Sequence, residues 1–219
     1  MCPMDITTKT KEIIKKLPSN VTLVAVSKTK LAKEILQSYN AGQRVFGENK
    51  IQEMALKWEQ LPKDIKWHMI GHVQTNKVKN MAHFVNLIHG VDSFRLLKEI
   101  EKQAQKHNRI ISCLIQIRIA EEETKFGVPP NQLNSLIENS KAFKNVKIVG
   151  LMGMATFTKD KNQITSEFNS LKNLFDKTKE KLPNMETLSM GMSGDYHIAI
   201  ECGSNMVRIG SNIFGARNY

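Results

Sequence analysis

From residue 21 to residue 210, short apolar runs alternate with stretches in which apolar residues recur three and four positions apart. The first kind fits buried strands of a parallel sheet, and the second fits amphipathic helices. Strands are predicted at residues 21–26, 44–47, 66–71, 85–91, 110–119, 146–152, 187–190 and 206–210. Helical faces are marked by Leu31, Ile35, Leu36 and Tyr39, by Ile51, Met54, Ala55 and Trp58, and by Ile164, Phe168, Leu171, Leu174 and Phe175. A further helix, with Ile6, Ile13, Ile14 and Leu17 on one face, precedes the first strand.

Eight strands alternating with helices in about 200 residues is the arithmetic of a small (β/α)8 barrel of the TIM type, whose parallel strands need helical crossovers. No linker rich in proline, glycine or serine divides the chain, so residues 1–219 are expected to form one α/β domain with an additional N-terminal helix. An open doubly wound sheet is the alternative. Against it, the first strand leads into SKTKLAKE and not into a glycine-rich dinucleotide fingerprint.

Composition narrows the class. A hydrophobic content of 41% over 219 residues is that of a soluble globular protein. No apolar run approaches the roughly 20 residues of a membrane span, and MCPMDITTKTKEIIKK lacks the features of a signal peptide, so a cytoplasmic protein without membrane contact is expected. Cys2, Cys113 and Cys202 are odd in number and far apart, which suits free thiols, with Cys113 buried in a strand. The net charge of +11 raises nucleic acid as a partner. Its lysines, however, are spread over successive helices, as in Lys9, Lys11, Lys15 and Lys16 or Lys172, Lys177, Lys179 and Lys181. No RNA-binding or helix-turn-helix signature accompanies them, so no nucleic-acid partner is expected. A monomer is expected, because no exposed apolar strip is evident.

Candidate chemistry concentrates in residues 188–217, LSMGMSGDYHIAIECGSNMVRIGSNIFGAR. Two strand-to-turn junctions, Met190-Gly191-Met192-Ser193-Gly194 and Met206-Val207-Arg208-Ile209-Gly210-Ser211, end in small residues and look built for one phosphate. Ser193 falls where the N-cap of the following helix is expected, offering a hydroxyl, backbone N–H groups and a helix dipole. Gly210 permits close approach of backbone to an oxygen, and Ser211 adds a donor. In a barrel these are the ends of strands seven and eight, where phosphate sites recur.

Lys28 ends the first strand in Val24-Ala25-Val26-Ser27-Lys28. An ammonium beside an apolar strand must reach solvent, pair with an anion, lose its proton or react. A lysine, a phosphate cradle and an arginine on one rim suit pyridoxal phosphate, with a covalent imine to Lys28 and backbone donors on the phosphate. Arg208, two residues before Gly210, is placed to face the ring. A guanidinium beside the pyridine nitrogen keeps that nitrogen unprotonated and the ring a weak electron sink.

The motifs VAVSKTK, FGENKIQE, WHMIGHVQTNK, TKFG, SMGMSGDYHIAI and VRIGSNIFGAR occur in the order and spacing of the pyridoxal phosphate homeostasis proteins. The chain resembles that family, single-domain relatives of the alanine racemase barrel, over residues 21–217. The resemblance implies a pyridoxal-phosphate-binding barrel without established catalysis, which keeps the cofactor and its amino-acid metabolism in balance. It implies that Lys28 in VSKTK forms the imine, that Ser193 beside Met192 in MGMS and Gly210 with Ser211 in RIGS hold the phosphate, and that Arg208 faces the pyridine nitrogen. Asn49 in FGEN then sits beside the cofactor, and His68 and Gly71 in WHMIG line the mouth. Ser211 stands where the family more usually has threonine, keeping the hydroxyl and losing a methyl. Asn212 stands where alanine is common.

Other residues have plainer readings. His68 and His72 straddle a strand end and a turn, where their spacing does not suit a metal pair. Glu121, Glu122 and Glu123 read as a solvated loop. Met152, Met154, Met190, Met192 and Met206 read as barrel filling.

Three functions remain: a non-catalytic carrier of pyridoxal phosphate in transient contact with the enzymes that use it, a racemase-like enzyme, and a lysine-imine aldolase. Two-sided proton transfer needs a second acid-base group opposite the lysine. In the racemases that tyrosine comes with another domain and a partner subunit. Tyr39, Tyr196 and Tyr219 do not lie in such a domain. An aldolase lysine usually lies on a middle strand.

Overall fold

The computed structural model describes residues 5–122 and 126–215, so Cys2, Glu123, Thr124, Lys125, Arg217 and Tyr219 lie outside the described residues. Eight parallel strands close into a barrel in chain order: β1 (Thr22–Val26), β2 (Val45–Glu48), β3 (Lys66–Met69), β4 (Leu87–Val91), β5 (Ile111–Ile117), β6 (Val146–Gly153), β7 (Thr187–Met192) and β8 (Met206–Ile209). Closure is made by β1 and β8, paired from Thr22↔Met206 to Ala25↔Ile209. The (β/α)8 architecture expected from the alternating runs is therefore present. Strand ends moved where turns intervene: β3 stops at Met69, and β7 continues to Met192.

The helices are α1 (Ile6–Lys16), α2 (Ala32–Asn40), α3 (Ile51–Gln60), α4 (Phe94–Lys106), α5 (Leu133–Ser140), α6 (Lys161–Lys181), α7 (Tyr196–Glu201) and α8 (Ser211–Phe214). Local chemistry starts the longer ones. Asp5, Ser93 and Asp160 accept hydrogen bonds from first-turn N–H groups of α1, α4 and α6. Between β3 and β4 the crossover is a 3-10 helix, Thr75–Asn80, in which only Val78 is buried; one apolar contact is too narrow a face for a longer amphipathic helix. The eighth helix has only four residues, and α1 packs beside it and against α2, burying Ile13 and joining Thr10 Oγ1 to Ser38 Oγ at 3.1 Å.

Successive side chains on a strand face opposite sides, so the strands bury two cores. Outward-facing Phe46, Trp67, Met69, Ile88, Ile115 and Ile209 pack under helix residues such as Ile35, Met54, Ile100 and Phe168. Inside the barrel, Val24, Leu87, Leu114, Met152 and Met206 form a separate apolar layer. Two positions further along β4, β5 and β8 stand His89, Gln116 and Arg208, joined by His68 from β3 and Ser189 from β7, all buried. Cys113 and Cys202 are buried free thiols. Among the described residues no helix is long and apolar enough to cross a membrane.

Candidate functional site

A cavity of about 380 Å³ opens at the C-terminal ends of the strands, on the side where β8 meets β1. Its wall is Val26 and Lys28 after β1, Asn49 after β2, Ile70 after β3, and Met154 and Phe157 after β6. Met192, Ser193 and Gly194 follow from β7, and Arg208, Gly210, Ser211 and Phe214 from β8. Among these described residues the charged groups are Lys28, Lys30 and Arg208, with no carboxylate. The cavity therefore favours an anion, and the hydroxyls of Ser193 and Ser211 gather at one end of it.

Lys28 sits in the turn after β1, half-buried. Lys30, on the same turn, was not singled out from the sequence; its Nζ donates to the Phe214 carbonyl at 3.0 Å and lies 3.7 Å from Glu34, tying the β1 turn to α8. The SKTK spacing was the available signal.

The two β7 and β8 junctions are joined directly. Gly210 N–H donates to Ser193 Oγ at 3.1 Å, and Asn212 Nδ2 donates to the Ser193 carbonyl at 3.2 Å. Asn212 thus braces one turn against the other. Because a serine oxygen can accept and donate at once, the Ser193 O–H is still available to a ligand. The expected capping geometry is corrected: the N-cap of α7 is Asp195, two residues later, and its carboxylate accepts from Met192 N–H at 2.5 Å. With six and four residues, α7 and α8 are too short to add much dipole, so hydroxyls, turn N–H groups and cations carry the anion preference. Gly191 makes the tight turn possible: its φ is 94°, and a Cβ there would lie 2.6 Å from Ala199 Cβ.

Arg208 forms part of the cavity floor and is itself held from below. One terminal nitrogen donates to the Ser189 carbonyl at 2.9 Å and to Ser189 Oγ at 2.6 Å; the other donates to the Gly153 carbonyl at 3.0 Å. Burial pushes its pKa down to about 10, leaving it cationic at neutral pH. The polar chain continues inward. Ser189 Oγ lies 3.1 Å from His89 Nδ1, and His89 Nε2 lies 3.1 Å from His68 Nδ1. A guanidinium only donates, so Ser189 Oγ accepts from Arg208, while the direction of the two bonds that join Ser189, His89 and His68 is set by the tautomers of the imidazoles. Desolvation holds both imidazoles neutral, with His68 pushed down to about 3 and His89 well below the usual histidine value.

That placement corrects two mouth assignments. His68 is buried inside the barrel and is not among the cavity-lining residues, because the alternation of β3 turns it inward below Ile70. Gly71 is a packing residue: a Cβ there would lie 2.5 Å from the Asn49 carbonyl oxygen, so glycine lets the ends of β2 and β3 close on each other. Lys28, Asn49, Met192, Ser193, Arg208, Gly210 and Ser211 are brought together. Met152 and Met206 fill the interior and Met190 the outer core, whereas Met154 and Met192 line the cavity.

The opposite side of the mouth is filled. His72 stacks on Phe126 with ring centroids 4.0 Å apart and reaches Asp92 at 3.2 Å, while Gln116 Nε2 donates to the Phe126 carbonyl at 2.8 Å. No metal-holding cluster of histidine, cysteine, aspartate or glutamate occurs among the described residues. Glu122 is only half-exposed, and its carboxylate accepts from Phe157 N–H at 3.0 Å, so it anchors the rim loop that carries exposed Phe157. Glu121 is exposed, as expected of a solvated loop.

Comparison with known proteins agrees with this geometry. The family model for the alanine racemase N-terminal domain matches residues 5–218. A pyridoxal phosphate homeostasis protein of Aquifex aeolicus is 41% identical over 202 residues, covering 90% of this chain and 87% of that one. The structure of PipY from Synechococcus elongatus with pyridoxal phosphate bound is 30% identical, with a TM-score of 0.89 over 96% of this chain and 100% of the other. An alanine racemase from Streptomyces lavendulae shares the fold alone, at 13% identity and a TM-score of 0.81, over 98% of this chain and 57% of the racemase. On these matches the chain belongs to the pyridoxal phosphate homeostasis proteins, within the alanine racemase N-terminal domain family.

Proposed function

We propose that this protein holds pyridoxal 5′-phosphate at the β8–β1 mouth, attached covalently to Lys28, and exchanges it with enzymes that depend on it rather than turning over a substrate. The observation that carries this reading is the cavity itself. It combines an amine at the rim, two hydroxyl-bearing turns braced together, and a floor cation, with no carboxylate among its described lining residues. The solved relative with pyridoxal phosphate bound supports the choice of ligand.

When bound, pyridoxal phosphate supplies an aldehyde that condenses with amines and a ring that withdraws electrons. The residues of this chain do the rest. Ser193, Gly210 and Ser211 hold the phosphate, Asn49 flanks the ring, and Arg208 presents a permanent cation to the ring nitrogen and keeps a proton from it. That weakens electron withdrawal and with it catalysis at an attached carbon. Two-sided proton transfer also needs an acid-base group facing Lys28. The described lining residues offer Lys30 and no tyrosine, histidine or carboxylate, which supports holding over turnover.

The test is a visible absorption spectrum of the protein incubated with pyridoxal phosphate, before and after borohydride. We expect a band that reduction removes, cofactor left on the Lys28 peptide, and neither in Lys28→Ala. A colourless protein overturns the ligand, and racemisation of amino acids at enzymatic rates overturns the non-catalytic role.

A further inference from the structure

Behind the Lys28 turn lies a charge cluster that neither the cavity nor the barrel closure uses. Ser27, fully buried, donates through Oγ to Glu48 Oε1 at 2.6 Å, and its carbonyl accepts from Lys57 Nζ at 2.8 Å. On the other side of Lys28, Thr29 N–H donates to Glu53 Oε1 at 2.6 Å. Lys57 Nζ completes the set by donating to Glu48 Oε1 at 2.7 Å and Glu53 Oε1 at 2.6 Å. The three protons of its ammonium thus have three acceptors, and both neighbours of Lys28 are tied to one cluster. Glu48 also directly precedes Asn49, which lines the cavity.

Thr29 has a φ of 65°, in the left-handed region, which a β-branched residue keeps only where its surroundings over-determine it. Two hydrogen bonds surround it: Lys30 N–H donates to the Ser27 carbonyl at 3.0 Å, closing the turn, and the Glu53 carboxylate accepts from Thr29 N–H itself. A buried ion cluster is weak as a stability device, since well-packed apolar residues serve as well or better. Its cost is visible here: Glu48 Oε2 is buried without a partner, and burial pushes the Glu48 pKa up to about 7 despite Lys57. The position of the cluster, directly behind both neighbours of Lys28, gives it another use.

We propose that Glu48, Lys57 and Glu53 act as a clamp of positioning residues that fixes the Lys28 turn so that its amine meets the aldehyde of pyridoxal phosphate. This rests on the ligand reading above. The attachment balances without a co-reactant: the Lys28 nitrogen forms a double bond to the aldehyde carbon, and the aldehyde oxygen leaves as water with two ammonium protons. Among the described residues, the side-chain hydrogen bonds of Glu48, Lys57 and Glu53 run to the Lys28 turn and to one another, and Lys30 Nζ holds α8 from the far side of that turn. Loss of the clamp is therefore expected to fall on attachment before phosphate binding.

The test compares pyridoxal phosphate with 4′-deoxypyridoxine 5′-phosphate, which keeps ring and phosphate and has a methyl in place of the aldehyde. Wild type, Glu53→Ala, Glu53→Gln and Lys57→Met are titrated with each, and the fraction trapped by borohydride is measured. Glu53→Ala is expected to lower pyridoxal phosphate affinity and trapping by about tenfold or more, as misplacing a reacting group does, with analogue affinity within about twofold of wild type. Glu53→Gln, which retains an acceptor for Thr29 and Lys57, is expected to recover most of the loss. Lys57→Met strands a buried carboxylate and can fail to fold; the half-exposed Glu53 keeps the test decisive. Unchanged trapping in Glu53→Ala, or an equal loss of both ligands, overturns the clamp. Wild-type protein that traps no pyridoxal phosphate overturns the ligand reading itself, a separate result.

Discussion

Two layers of side chains fill this barrel, and they obey different rules. In the lower one, Val24, Leu87, Leu114, Met152 and Met206 pack into one apolar cluster. In the upper one, His68, His89, Ser189 and Arg208 form a buried hydrogen-bonded chain that the arginine enters as a donor. Side chains two apart on the same strands thus build either a filling that tolerates exchange of shape or a polar network held by specific hydrogen bonds. The lower layer acts through packing and the upper one through hydrogen bonds beneath the cavity. Under the proposed function, truncations in the two layers are therefore expected to differ in their effect on stability and on ligand geometry.

The strongest way to test that separation is Leu114→Ala. Truncating a fully buried leucine should cost about 2–5 kcal/mol in urea unfolding, while the folded fraction still attaches pyridoxal phosphate to Lys28. Loss of attachment without loss of stability would break the comparison. Ser189→Ala should act the other way. It removes the hydroxyl shared by Arg208 and His89, for about 1–3 kcal/mol, and changes the absorption band of bound cofactor through the loosened guanidinium, which Leu114→Ala leaves in place.

Proton linkage sharpens the picture further. The folded pKa of His68 lies below its unfolded value, so its contribution is present above about pH 6.5 and is lost as pH falls towards about 3. That of Glu48 lies above its unfolded value, so its contribution is present below about pH 4.5 and is lost as pH rises through about 7. Between these limits the two oppose each other. Unfolding free energies measured from pH 4.5 to 6.5 should therefore tilt upward with pH in Glu48→Gln and downward in His68→Gln relative to wild type. Each tilt is at most about 1.4 kcal/mol per pH unit. The smallest effect is expected from Asn212→Ala, which removes one brace between the turns after β7 and β8, worth about 0.5–1.5 kcal/mol, and under the proposed function should weaken phosphate-bearing ligands by about tenfold or less.

Much of this was legible in the chain because period alone separates strands from helices. Val24, Ala25 and Val26 read as a strand, and the small-residue junctions at Met192-Ser193 and Gly210-Ser211 stood out as a pair, which the structure joins at one cavity. What escaped depends on which way a side chain faces across the barrel. His68 belongs to a motif associated with the mouth, yet the alternation of β3 buries it below the cavity. His89, in the buried run Leu87-Ile88-His89-Gly90-Val91, was a visible polar interruption whose partner, Ser189, is 100 residues away and cannot be found by spacing. The Glu53–Lys57 pair was readable at i,i+4, but its use behind Lys28 depends on β2 and α3 being folded beside β1. Ser193 looked like a helix cap because serine suits that place; the turn runs two residues longer, and Asp195 takes it.

The meeting of β1 with β8 has a consequence in time. Lys28 emerges from a ribosome early, whereas Arg208, Gly210 and Ser211 emerge close to 180 residues later, and the Lys30–Phe214 hydrogen bond spans 184 residues. Under the proposed function, a nascent chain would therefore display the Lys28 amine long before it has the turns proposed to hold the phosphate. On that reading, retention of pyridoxal phosphate would mark that synthesis and barrel closure have both been completed.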